Sequence, residues 1–168
     1  PEDVNHVEVG VKSQWLDRKA TLNLAAFRTD IRNYQATVVN GAVGVLRGYL
    51  ANADKVRTQG FEADFTLRPV EGLRFTLAGA YTDAKYVRFV DAPPPLELSG
   101  GTLQVVDISG QRLPGVSRLA FSYGAEYSTP VTLFGKGGEV FAGWDGNYRS
   151  KWSSSPSPSA YLNVSGYA

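Results

Sequence analysis

Polar and apolar residues alternate one by one along most of this chain, in runs about twice as long as an ordinary soluble strand. Successive side chains of a strand point to opposite sides of a sheet, so each such run has one apolar and one polar face. In residues 4–16, Val7, Val9, Val11 and Trp15 share one parity, and His6, Glu8, Lys12 and Gln14 the other. In residues 55–68, Phe61, Ala63, Phe65 and Leu67 oppose Glu62, Asp64, Thr66 and Arg68. The pattern returns in residues 73–82, where Leu73, Phe75, Leu77 and Tyr81 oppose Arg74, Thr76, Ala78 and Thr82. In residues 116–128, Leu119, Phe121, Tyr123, Ala125 and Tyr127 oppose Arg118, Ser122, Gly124 and Glu126. Residues 139–152 set Val140, Ala142, Trp144 and Tyr148 against Glu139, Asp145, Asn147, Arg149 and Lys151, and residues 160–168 begin a seventh strand.

Residues 20–36 form a second strand with a conflict in it. Leu22, Leu24 and Ala26 make an apolar row, yet Arg28, Asp30 and Arg32 continue the same parity. Either a bulge shifts the phase, or the outer half of the strand rises above an apolar layer; the residues alone leave both open.

The connections alternate in length. Short polar turns fall at Asp17-Arg18-Lys19, at Pro69-Val70-Glu71-Gly72 and at residues 129–138, which include Pro130, Gly135, Gly137 and Gly138. Long connections are expected at residues 38–54, with Gly41, Gly44 and Gly48, and at residues 83–112, with Pro93-Pro94-Pro95 and Gly100-Gly101, which exclude regular helix and central strand. Residues 153–159 form a Ser/Pro loop. No helical stretch interrupts the hairpins, so the sheet is expected to be an antiparallel meander. Short turns on one side and long loops on the other mark an outer-membrane barrel, with the short turns periplasmic.

Trp15 and Tyr127 stand at strand ends near the short turns, with Tyr81 and Tyr148 near the opposite ends, as in aromatic girdles. A tilted strand needs about 9–11 residues to cross a bilayer, and several runs meet that length. A soluble β-sandwich also alternates, but usually with strands of about 5–6 residues. The mean hydropathy of −0.20 does not discriminate, because only alternate residues of a barrel meet lipid. No apolar run approaches the roughly 18 residues of a spanning helix. The fold class expected is all-β, a transmembrane antiparallel barrel of which six to seven strands are present.

The formal net charge of +1 gives no basic field for nucleic acid. Absence of cysteine is compatible with the envelope. No methionine or signal peptide stands at the start, and the last residues stop inside a strand-like run, so the chain is expected to be a piece cut from a longer one, too incomplete to close alone.

Several short phrases carry a resemblance. They are Val7-Glu8-Val9-Gly10-Val11-Lys12, Asn33-Tyr34-Gln35, the run from Asn52 through Asp54-Lys55-Val56-Arg57-Thr58-Gln59-Gly60 to Glu62, Pro69-Val70-Glu71-Gly72-Leu73, Tyr81-Thr82-Asp83-Ala84-Lys85-Tyr86 and Gly110-Gln111-Arg112-Leu113-Pro114. In this order and spacing the chain resembles the TonB-dependent receptors of Gram-negative outer membranes, over nearly all its length. The resemblance implies a barrel of about 22 strands around an N-terminal plug, with residues 1–168 a partial barrel domain from its later part and the plug absent. It implies active import of a scarce ligand, most often a ferric siderophore, with energy transmitted by TonB. The implied partners are the TonB complex through the plug, the small ligand, and outer-membrane lipid and lipopolysaccharide; no cofactor and no nucleic acid are implied. The final strand with its terminal aromatic and the TonB-contacting segment are not in these residues. An outer-membrane barrel enzyme and a passive porin are the alternative functions.

No catalytic site is legible. His6 is the only histidine and lacks neighbouring ligands for a metal. Glu62 and Asp64 share a strand face, which a charged barrel lumen explains better than acid–base chemistry. Gly41-Ala42-Val43-Gly44 and Gly135-Lys136-Gly137-Gly138 lack the context of phosphate loops and read as turns. The candidate ligand-binding residues are Arg47, Tyr49, Tyr86 and Arg88 in the long connections, since arginine and tyrosine suit anionic, aromatic ligands.

Overall fold

A computed structural model describes residues 1–42, 45–98, 105–155 and 159–168, without the side chains of residues 37–50, Leu96 and Ala160. Six long strands form one antiparallel sheet in chain order: β1 (Asp3–Trp15), β2 (Ala20–Ala42), β3 (Val45–Leu67), β4 (Leu73–Arg88), β5 (Leu119–Leu133) and β6 (Lys136–Arg149). The sheet is an open meander, with β1 and β6 at its edges.

The register turns the alternation into two faces. One rung runs Val9, Ala26, Phe61, Tyr81 and Leu119 across five strands; another joins Leu22, Phe65, Leu77 and Tyr123; a third joins Leu67, Phe75, Ala125 and Trp144. Directly opposed residues share a face, so these rungs are one continuous apolar wall. The rungs between them are polar: Lys12, Asn23, Asp64, Ala78, Ser122 and Asn147 form one, and Arg74, Glu126 and Gly143 belong to another. Val9, Trp15, Phe65, Phe75, Phe121 and Trp144 therefore lie on one face, and Glu8, Lys12, Glu62, Asp64, Glu126 and Asp145 on the other. On the apolar wall Phe121 stacks on Tyr148 with centroids 5.0 Å apart, and Tyr123 tilts against Trp144 at 4.9 Å.

Several boundaries differ from those the sequence suggests. Residues 38–54 are not an irregular loop: β2 and β3 run on as a long hairpin, pairing as far as Ala42 and Val45. Gly41 and Gly48 sit in paired backbone, opposite Leu46 and Val39. β4 continues to Arg88, past the expected end at Thr82. The connection between β5 and β6 is also tighter than residues 129–138. Both strands pair down to Leu133 and Lys136, and the turn is Phe134-Gly135, both with positive φ, as a two-residue hairpin requires. Pro130 lies inside β5, opposite Glu139. It is tolerated because β4 begins at Leu73, opposite Tyr127, so no described strand needs the missing N–H on that side. Residues 160–168 are not a full strand. They make a short 3-10 turn (Ala160–Leu162) and a two-residue strand, β8 (Asn163–Val164), paired with β7 (Trp152–Ser153).

The conflict in β2 resolves without a bulge there. The pairing of β2 with β1 and β3 is unbroken from Ala20 to Arg32, so Arg28, Asp30 and Arg32 do share the face of Leu22, Leu24 and Ala26. The shift of register is on β4: Lys55 pairs with Arg88 and Val56 with Tyr86, leaving Val87 as an extra residue.

Candidate ligand-facing surface

The end of the sheet away from the short turns carries the buried core of the chain. Val56 of β3, Ala84 and Tyr86 of β4, and Phe89, Ala92, Ile108 and Leu113 of the long connection form it, with Ala53. Ile31, Tyr34 and Val116 pack against this cluster. The connection is thus a folded cap. Its backbone continues the β4 ladder: the Tyr86 N–H donates to the Gln111 carbonyl at 2.9 Å, Gly110 to Tyr86 at 2.7 Å, Leu113 to Ala84 at 3.0 Å and Ile108 to Phe89 at 3.0 Å. Ala92 and Val106 exchange two bonds that close its outer part.

Side chains pin the same segment. The Asp107 carboxylate accepts the Ser109 N–H at 2.8 Å, and the Ser109 hydroxyl accepts the Phe89 N–H at 3.0 Å. These bonds from Ser109 hold the exposed Asp107 carboxyl below its ordinary pKa. Arg149, at the end of β6, donates to Ser117 Oγ at 2.7 Å and to the Gly115 carbonyl. Ser159 Oγ donates to the Glu97 carboxylate, tying the segment after β7 to the cap.

The candidate residues fare differently. Tyr86 is a strand residue with 1% of its surface exposed, its ring 5.3 Å from that of Phe89, so it supports the cap from within. Arg88, two residues on and past the bulge, has a side chain 67% exposed and donates from Nε to Asp54 at 2.9 Å. Arg47 and Tyr49 belong to β3, with Asn40 and Val38 as backbone partners, and their side chains lie outside the described residues. Asp54, inside β3, and Asp107, in the cap, lie beside Arg88, and no sequence pattern marks either as its neighbour.

The polar face offers a second surface. Glu8, Lys12, Asn23, Glu62 and Asp64 line a groove of 630 Å³ across β1 to β4. His6 bonds Thr29 through Nδ1 at 2.7 Å. Among the described residues no cluster of three His, Cys, Asp or Glu side chains is arranged to hold a metal.

Long paired strands, one apolar wall, a polar opposite face and a folded cap at one end define part of a transmembrane β-barrel of the outer-membrane type. Family comparison is specific: all of residues 1–168 match the model of the TonB dependent receptor-like β-barrel, and the chain belongs to that family. It is a family of outer-membrane receptors and transporters, not of enzymes. The fold resembles the siderophore receptor PiuA of Acinetobacter baumannii, with a TM-score of 0.63 at 17% identity, over 98% of this chain and 20% of that one. It also resembles the ferric-catecholate import receptor Fiu of E. coli K12, with a TM-score of 0.61 at 21% identity, over 99% of this chain and 20% of that one. The metal-pseudopaline receptor CntO of Pseudomonas aeruginosa is 33% identical over 88 residues, which is 52% of this chain and 12% of CntO. The chain thus spans about a fifth or less of the length of these proteins.

Proposed function

We propose that the protein to which these residues belong sits in the outer membrane and imports a scarce small ligand, a ferric siderophore in the first instance, with energy passed from the inner membrane by TonB. The observation that carries this reading is the match of the whole chain to the receptor barrel family. Relatives named for siderophores and a metal chelate point to the ligand class. The cap and the β2–β3 hairpin stand at the side where a ligand arrives, and loops held on a rigid scaffold commonly carry binding.

At the end of β4, where the cap begins, Arg88 is the contact we favour, with Arg47 and Tyr49 on the hairpin. An arginine suits a carboxylate or catecholate oxygen, and tyrosine an aromatic plane. Tyr86 shapes that surface from beneath.

The test is uptake of iron from a panel of ferric siderophores by cells that carry or lack the gene, under iron limitation. Uptake that disappears with the gene and with TonB supports the reading. Uptake independent of TonB, or no defect for any siderophore, cobalamin, haem or sugar, overturns it.

A further inference from the structure

The charged stretch of β2 lies on the apolar wall's own face, and its partners do too. The rung beyond Val9, Ala26, Phe61 and Tyr81 is Val7, Arg28, Gln59 and Asp83; the next is Asn5, Asp30, Arg57 and Lys85; beyond it lie Asp3, Arg32, Lys55 and Arg88. A belt of charge therefore begins abruptly where the wall ends. Inside the hydrocarbon such residues would be strongly unfavourable, so the belt marks the level of lipid headgroups.

Its chemistry is cationic. Asp30 gathers Arg57 at 2.7 Å, Arg28 at 3.2 Å and Lys55 at 3.5 Å, and Lys85 reaches Asp83 at 3.3 Å. With the last rung included, five cations face the three carboxylates Asp3, Asp30 and Asp83, a surplus of two positive charges on one face, and Arg88 beyond them is paired to Asp54. Asp30 holds its cations close together and cannot neutralise three of them. A groove of 530 Å³ runs between β1 and β2 at the same level, with Val7, Val9 and Ala26 on its lower part and Asn5, Arg28 and Asp30 above. An apolar trough beneath a basic rim matches an acyl chain beneath a phosphate.

We infer that Arg28, Arg32, Lys55, Arg57 and Lys85 form a binding belt for phosphorylated lipid headgroups in the outer leaflet, with one acyl chain seated along Val7, Val9 and Ala26. The inference rests on the outer-membrane reading above, and gives the lipid partner its site.

The full receptor, purified and stripped of lipid in detergent, tests it with bisphosphorylated lipid A against the same lipid dephosphorylated, by native mass spectrometry. The phosphorylated lipid should bind about tenfold more tightly, because basic residues at a membrane surface attract anionic lipid. R28Q/K55Q/K85Q should abolish the preference, while R74Q on the opposite face leaves it intact. Asp83→Asn, which removes a negative charge from the belt and takes no cation away, should strengthen the preference. Equal binding of both lipids by the wild type, or no change in either direction among the variants, overturns the belt. Loss of the preference in inorganic phosphate alone also overturns it, in favour of a soluble-anion site. Siderophore uptake by the same variants separates the two readings: lipid discrimination without any import would sink the proposed function and spare the belt.

Discussion

The guanidinium of Arg149 lies 4.1 Å from the centre of the Trp152 ring, and the same side chain bonds Ser117 and the Gly115 carbonyl. One residue at the end of β6 thus joins the cap to the segment that follows the sheet. Arg149 also exchanges backbone bonds with Tyr167 at 2.9 and 3.0 Å. Replacing it with alanine should loosen residues 113–118 and 152–167 together, at a cost of about 1–3 kcal/mol. Arg149→Lys should recover only part, since an ammonium cannot both stack and fork. Hydrogen exchange on the full receptor checks this: protection should fall at both segments and persist at the Phe75–Ala125 rung.

The two faces make opposite demands on charge. Arginine at Leu77, in the middle of the apolar wall, should cost about 2–4 kcal/mol, whereas arginine at its neighbour Ala78 should be mild. Spin labels at the same two positions give an independent reading. A lipid-soluble quencher should reach the first and not the second, and equal accessibility would contradict the barrel.

Gly60 is fixed by crowding. A Cβ there would collide with the Tyr81 carbonyl oxygen, and the Phe27 ring stands 3.2 Å away. Gly60→Val should destabilise the barrel by about 3 kcal/mol through forced shifts in β3 and β4. The shift of the unfolding midpoint in urea, in folded detergent complexes, measures it.

The cap can be shortened beyond the Ala92–Val106 pair. Replacing residues 99–104 by a short glycine linker, which keeps that pair and the Ser159–Glu97 bond, should leave assembly unchanged. Ligand affinity should fall if the replaced residues take part in capture. Titration with the siderophore found by growth rescue decides, and unchanged affinity would move the site to Arg88 and the hairpin.

Residues 1–168 expressed alone should not give a stable monomer. Among the described residues the open sheet leaves the outer edge of β1, and that of β6 short of Arg149, without a partner strand, and the wall of Val9, Phe61, Phe75 and Trp144 uncovered. Size-exclusion chromatography should show aggregates, and a discrete protease-resistant monomer would argue for a soluble sandwich.

Strand existence and facing were legible because period two is a local signal that every rung repeats. The ends were not. Gly41, Gly44 and Gly48 suggest a loop, but cross-strand pairing from Thr37 to Ala42 overrides weak local preference. Pro130 reads as a turn, and only the early start of β4 explains its place in a strand. The burial of Tyr86 had no sequence signal, because it depends on Phe89, Ile108 and Leu113 folding back over β4 from outside the alternating pattern. Tyr81 before the bulge and Arg88 after it look alike in a list of loop-flanking residues, yet one belongs to the wall and the other to the exposed surface.

The unmatched Val87 has a consequence for how such a chain diversifies. Before it, a one-residue insertion would swing every following side chain to the wrong face, so the wall is intolerant of changes in length. After it, the step has already been absorbed, and the cap hangs from β4 by its own bonds rather than by the strand's parity. The bulge is therefore a mechanical and evolutionary joint: the cap can drift in length and sequence on one side while the alternating lattice on the other stays unchanged.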